Sequence, residues 1–302
     1  EMKPTYGGQA LRVQDMMIMR IINDAAWRIP IYFAVTVSQK NRIGLDQYMD
    51  MQGLIFQLKS HKTEPVDDEK MENNLMEKYT YKKVDHPILL NMNQYQRLYQ
   101  NYRSAYMQLV VTYYMDYQRQ VRQQKNRDKN KLANLRKKIL KTLDKMDQNI
   151  PDEIIPIQSE ELHYQVARIY GDLDEKESMK NIMEKLVNRE NGRPLNRVEY
   201  ANTFYKELDD TERALMILED MRANYLQMEG MVKTRGYSKK SVKKGEWARW
   251  QKAYPEIVSS LVFIYRENNR FTDAELILSD WVDRNPTDKN AKNILDEVRS
   301  GG

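Results

Sequence analysis

Three histidines, 44 acidic side chains and no cysteine are the raw material for catalysis in this sequence of 302 residues. Without a thiol there is no disulfide framework, no thiolate metal site and no cysteine nucleophile. His61, His86 and His163 are too scattered for the HExxH arrangement, in which two imidazoles one helical turn apart hold a zinc ion. His163 falls at the start of a helical segment, where a half-exposed structural role is expected. Neither a GxSxG elbow nor the phosphate-cradling GxGxxG and GxxxxGK[ST] loops occur. Asp172, Asp174, Glu175 and Glu177 surround a turn between helices, and helix starts favour acids. The remaining pair is Asp46 and Asp50, four residues apart and expected on one face of a short helix; a plain helix surface competes with an acid pair there. No catalytic residue, metal or cofactor is expected.

Charge is more informative than catalysis. There are 49 Lys and Arg against 44 Asp and Glu, a net charge of +5, and 31% of residues are charged. The basic residues cluster. Arg119–Lys141 holds ten of them against one acid, Lys137 and Lys138 among them. A second cluster contains Lys239, Lys240, Lys243 and Lys244, with Trp247 and Trp250 close by. Two functions fit such clusters: phosphate-backbone binding with aromatic stacking, and attraction to an anionic membrane surface. A solvated helix with a flexible loop is the competing structural account.

The elements that must position these residues are mostly helical. Val13, Met16, Met17, Ile18, Ile21 and Ile22 recur at helical spacing and end before Pro30. Ile31–Val37 is β-branched and aromatic and predicts a buried strand; Leu45–Met51 predicts a short helix and Gly53–Leu58 a second strand. Residues 1–60 therefore form a small α/β unit. Residues 61–92, with Pro65, Asp67-Asp68-Glu69 and Asp85-His86-Pro87, read as a connector. Residues 93–156 read as a helical hairpin carrying the long basic segment. The longest apolar stretch, Ile29–Val37, is far below the ~18 residues of a membrane span.

Residues 157–302 repeat themselves. Val166, Tyr170, Met179 and Met183 share a spacing of four, nine and four with Ala201, Tyr205, Ala214 and Leu218, and with Leu261, Tyr265, Ala274 and Leu278. Tyr170 and Tyr205 are 35 residues apart, close to the ~34 of a tetratricopeptide unit. The wider gap from Tyr205 to Tyr265 is one unit plus an insertion, assigned to 228–252. Asp288–Val298 is the expected capping helix. The fold class expected is mainly α, a small N-terminal α/β unit followed by a tetratricopeptide-like helical-repeat array.

Particular residues carry a family resemblance. Arg12-Val13-Gln14-Asp15-Met16-Met17-Ile18, Trp27-Arg28-Ile29-Pro30-Ile31-Tyr32-Phe33-Ala34-Val35-Thr36-Val37-Ser38 and Gly44-Leu45-Asp46-Gln47-Tyr48-Met49-Asp50-Met51-Gln52-Gly53-Leu54 resemble the C-terminal region of the protein-O-mannosyltransferase-like membrane glycosyltransferases of Bacteroidetes-type bacteria. The likeness is sharpest over residues 11–58 and continues through Asn101-Tyr102-Arg103 and the repeats. It implies a multi-span enzyme using lipid-linked sugar donors, with its catalytic acids in a membrane-embedded part this chain lacks. On that reading the chain, opening on Glu1 and closing Ser300-Gly301-Gly302, is a piece of a longer protein at the periplasmic face of the inner membrane; a cytoplasmic protein is the alternative.

The expected function follows: a non-catalytic extracytoplasmic helical-repeat domain that binds a protein or peptide partner, or packs on its parent membrane domain. The first helix of each repeat would line a groove through Tyr164 and Arg168, then Glu199, Thr203 and Lys206, then Ser259, Phe263 and Arg266. The alternative is a soluble basic protein that binds an anionic lipid surface or nucleic acid, nucleic acid ranking last among the partners.

Overall fold

The computed structural model describes residues 10–82, 84–86, 88, 93–123, 128–189, 192–237 and 242–300. Among these the protein is mainly α, with eleven α-helices and one three-stranded antiparallel sheet near the N-terminus, followed by a helical array. The chain divides into two compact units, Glu1–Gln158 and Ser159–Gly302.

The first unit opens with α1 (Val13–Ala25). The buried Asp15 carboxylate accepts the Arg12 backbone N–H at 3.1 Å and so fixes where the helix begins. Strands β1 (Ile31–Ala34), β2 (Met49–Met51) and β3 (Ile55–Leu58) form a sheet in the order β1-β3-β2, with Phe33 opposite Phe56 and Met49 opposite Leu58. Phe33, Met49, Leu58 and Ile43 make a small core, against which Ile18, Met19 and Ile22 of α1 pack.

Two expectations change here. The strand predicted over 31–37 ends at Ala34, because the Val37 N–H turns back to the Ala34 carbonyl. The short helix predicted over 45–51 shrinks to a 3₁₀ turn at Asp46–Tyr48, and Met49–Met51 becomes a strand. That strand has no β-branched residue to announce it. It exists because β3 offers it a ladder on one side, while Pro65 and Asp67 bond to Met51 on the other. The turn before β3 requires Gly53, at φ +113, since a Cβ there would lie 2.6 Å from the Tyr79 hydroxyl, which accepts the Leu54 backbone N–H at 3.1 Å.

The connector is also more structured than its composition suggests. Asp67 caps α2 (Asp68–Asn73) by accepting the Lys70 N–H, and a π-helical turn, Asn74–Lys78, follows. The Leu75 carbonyl at this turn accepts hydrogen bonds from both the Tyr81 and Tyr106 hydroxyls. Tyr106 belongs to α3 (Asn93–Arg122), which forms an antiparallel hairpin with α4 (Lys129–Asn149). Their interface contains Leu109, Val110, Leu135, Ile139 and Leu143, all buried. Arg103 of α3 is almost fully buried too. Its guanidinium donates to the Ile150 and Ile155 carbonyls, at 3.0 and 2.6 Å, and to Gln100.

The second unit stacks three helix pairs: α5 (Glu160–Asp172) with α6 (Lys176–Val187), α7 (Pro194–Lys206) with α8 (Thr211–Arg235), and α9 (Lys244–Glu267) with α10 (Phe271–Arg284). Helix α11 (Lys289–Arg299) packs on α10 and is capped by Asp288. The residues of the four-nine-four pattern fall at matching places in the three pairs. Each pair turns through one left-handed residue four positions after its tyrosine: Asp174 at φ 60, Asp209 at φ 54 and Asn269 at φ 58. Asp and Asn tolerate that conformation better than other non-glycine residues.

The segment 228–252 is largely helix rather than loop. It lengthens α8 to Arg235 and starts α9 at Lys244, and an aromatic column holds the extensions together. Trp247 stacks on Tyr225 at 5.0 Å, Tyr225 on Tyr254 at 3.7 Å, and Trp281 lies tilted against Tyr254 at 5.8 Å.

Replacing Arg103 by Leu is expected to destabilise the first unit by about 3 kcal/mol or more, because two buried carbonyls lose their donor. Urea denaturation reads the loss, and hydrogen exchange should quicken at residues 150–157 first.

Candidate functional site

The eight groove residues all lie in the second unit, on α5, α7 and α9, and five of them line two separate hollows. The first, of about 510 Å³, opens between the starts of α5 and α7 and is lined by Tyr164, Glu199, Glu160, Arg193 and Tyr200. Tyr164 and Thr203 share a hydrogen bond of 3.2 Å, and the Tyr164 and Tyr200 rings lie 5.1 Å apart. The Tyr200 hydroxyl donates to Glu160 at 2.8 Å; burial and that carboxylate push its pKa up. Thr203 is buried and its hydroxyl also donates to the Glu199 carbonyl, so it reaches the hollow only through Tyr164. Arg168 forms an ion pair with Glu207. Partial burial opposes its charge, but Glu207 outweighs that and raises its pKa. This half of the predicted groove therefore consists mainly of helix-to-helix contacts. Lys206 is exposed and lines neither hollow.

The second hollow is larger, about 660 Å³, and is walled by α9, α10 and α11. Ser259, Phe263 and Arg266 line it from α9. Phe263 is 47% exposed, an unusual placement for a phenylalanine, and its ring also meets Tyr205 of α7 edge-on at 6.1 Å. Arg266 reaches Glu297 of α11 at 3.2 Å. The apolar floor comes from Val258, Val262, Leu278 and Ile294. Phe271, Trp281 and Ile294 carry no sequence signal as site residues, since they join the wall only when α10 and α11 fold back on α9. Trp281 is oriented by its indole N–H, which donates to Asp288 at 2.9 Å. Glu256, Glu267 and Asp288 give the rim an acidic bias against the single, paired Arg266.

The basic clusters belong to different compact units. Lys137 is exposed on α4, whereas Lys138 sits 4.6 Å from the Tyr113 ring centroid and 3.8 Å from Glu72. Lys141 also pairs with Glu72, at 3.1 Å. Burial would raise the Glu72 pKa, but Lys141 and the Tyr113 hydroxyl hold it below the ordinary value. Lys243 and Lys244 are exposed at the start of α9; Lys239 and Lys240 lie outside the described residues, as do Lys125 and Arg127. Trp247 is buried within the aromatic column, which removes it as a platform for stacking bases.

Asp46 and Asp50 do not share a helix face. Asp46 pairs with Arg42 at 3.2 Å in a 3₁₀ turn, while Asp50 is buried in β2, bonded to Gln52 and Lys59. His163 is buried, not half-exposed. Among the described residues no group of three or more His, Asp or Glu side chains is placed to hold a metal ion. No helix among them is long and apolar enough to cross a membrane.

Residues 1–77 match the family model of the TMEM260-associated domain 2. The match takes in α1, the sheet and α2, and contains the stretch 11–58 where the sequence resemblance is sharpest. The domain is linked by its description to a membrane-protein family. A comparison with curated proteins gives no match.

The second helices of the last two pairs, α8 and α10, are joined by ions as well as by packing. Asp280 of α10 accepts from Arg222 of α8 at 2.7 Å and from Arg284 at 2.9 Å, and Arg284 reaches Glu229 at 2.7 Å. Burial would raise the Asp280 pKa, but the two arginines outweigh it and hold it below 3.8. Its contribution is present above the ordinary carboxylate value and is lost as pH falls through its lower folded value. Asp280→Asn should therefore lower the melting temperature at pH 7, with the gap to wild type closing below about pH 4; thermal denaturation across that range measures it.

Proposed function

We propose that this chain is a non-catalytic partner-binding domain of a membrane glycosyltransferase-like protein. Its second unit serves as a tetratricopeptide-like scaffold, and its cleft between α9 and α11 takes an extended segment of a protein partner. The observation that carries this reading is the cleft itself. It has an apolar floor, a half-exposed phenylalanine and an acidic rim, the combination that seats a peptide with one apolar anchor and neighbouring Lys or Arg. The repeated four-nine-four spacing and the left-handed Asp or Asn in each turn support the scaffold assignment. The match over residues 1–77 supports the membrane-protein connection.

On this reading sugar transfer belongs to another part of the parent protein, at the periplasmic face of the inner membrane. The first unit joins the array to that part. Nucleic acid loses ground as a partner, since Trp247 is buried and Lys138 and Lys141 are committed to Glu72 and Tyr113.

Selection of displayed random peptides on the purified chain tests the cleft. Enriched peptides should carry an apolar residue beside basic ones. Phe263→Ala and Glu267→Lys should each weaken them about tenfold, while Arg168→Ala leaves binding unchanged. Peptides that ignore the cleft substitutions, or a selection that enriches nothing, would overturn the assignment.

A further inference from the structure

Helix α1 is apolar on two sides, and the sheet covers one of them. Ile18, Met19 and Ile22 pack on the core of the first unit. Val13, Met16, Met17 and Ile21 lie on the opposite side and stay between 50 and 67% exposed. Trp27 and Ile29 follow at the end of the helix, exposed to the same degree. A run of outward apolar side chains on one short segment is unusual on a protein surface and marks a place that is covered in use.

The backbone adds a second observation. Ala26 and Trp27 both adopt left-handed conformations, at φ 46 and 61. Such a conformation is strained for any residue with a Cβ and rare for a bulky aromatic. The strain is not offset by burial, since Trp27 remains more than half exposed. Strained residues of this kind concentrate where a side chain must be held in place for binding. Beside Trp27 opens a hollow of about 290 Å³, lined by Ile22, Leu45, Tyr48 and Leu58.

Charge identifies the occupant. Arg12, Arg20, Arg28 and Lys40 are all exposed around this segment. Asp15 is buried in the helix cap, and Asp24, on the same outward side of the helix, pairs with Arg20 at 2.8 Å, so the net positive charge there does not come from Arg20. The exposed cations around this segment outnumber the exposed Asp24, so a second copy of the chain would set a net positive frame against itself. An anionic lipid surface complements it. Aliphatic side chains and a tryptophan ringed by arginines are what a helix lying in the plane of a bilayer interface presents.

We propose that the outward face of α1, with Trp27 and Ile29, docks on an anionic lipid surface, the Trp27 ring and the adjoining hollow receiving the upper part of an acyl chain. This site is separate from the cleft on the second unit, so either assignment can fail without the other. It also differs from the basic segment on α4, whose lysines are partly engaged by Glu72.

Co-sedimentation of the full chain with phosphatidylcholine vesicles, with and without phosphatidylglycerol, tests it. The chain should pellet with the anionic vesicles. Met17→Glu with Ile21→Glu should weaken binding about tenfold or more, and so should Arg20→Glu with Arg28→Glu. Lys137→Glu with Lys138→Glu should leave it unchanged. Circular dichroism checks that each variant folds, and Trp27→Ser serves if the double glutamate variant does not. Three results would overturn the proposal: no binding to anionic vesicles, binding that survives the α1 substitutions, or a dimer of the wild-type chain that those substitutions dissolve.

Discussion

A helix pair with one apolar face cannot bury that face alone in water, and this constraint organises residues 159–300. Each pair must stack on the next, and the last must be covered by something else. Tyr265, Ala274 and Leu278 show how the stacking works. The fully buried Ala274 lets the two helices approach, and Tyr265 fills the space beside it while its hydroxyl bonds Glu219 of the preceding pair. The second helices are then aligned by ion pairs, the bidentate Arg213–Glu184 contact between α6 and α8 and the Arg222–Asp280 contact between α8 and α10. Partly exposed pairs of this kind contribute about 0–1 kcal/mol each. Apolar stacking therefore supplies the stability, and the ion pairs choose the register.

The same constraint explains the cleft. Helix α11 covers part of the final pair through Ala291, Leu295 and Val298, which are buried, but it is short. Where it does not reach, Phe263 and the floor beneath it remain accessible. The open cleft at the end of the stack is thus what incomplete capping leaves, lined by side chains of α9, α10 and α11.

In the first unit a different device does the organising. The segment 65–82 is anchored by the fully buried Met71 and Leu75, one helical turn apart, by ring contacts of Tyr79 and Tyr81 with Tyr102, and by polar contacts to its neighbours. Asn74 donates to the Gln52 carbonyl, the Leu75 carbonyl takes two tyrosine hydroxyls, and Tyr113 donates to Glu72. Arg103 does the same for the turn after α4. These contacts hold a charged connector against a helical hairpin, and its few apolar anchors stand among charged residues, which is why composition alone made it look loose.

The sequence by itself determined the helix pairs, the repeat spacing, the capping helix and the presence of a small strand unit near the N-terminus. Those features follow from local periodicity and from turn chemistry within a few residues, as with Asp288 before α11. Ser259, Phe263 and Arg266 line one hollow together because they share a face of their own helix, which helical spacing makes readable. Only the tertiary structure decided the rest. Met49–Met51 is a strand because β3 lies beside it, Thr203 is buried against Tyr164, 39 residues earlier, and Trp247 is enclosed by Tyr225, which lies 22 residues earlier. Phe271, Trp281 and Ile294 became cleft residues through the fold-back of α10 and α11. Likewise, the two apolar sides of α1 look alike in the sequence. Which one faces the core is set by where the sheet packs, a long-range fact that no local pattern encodes.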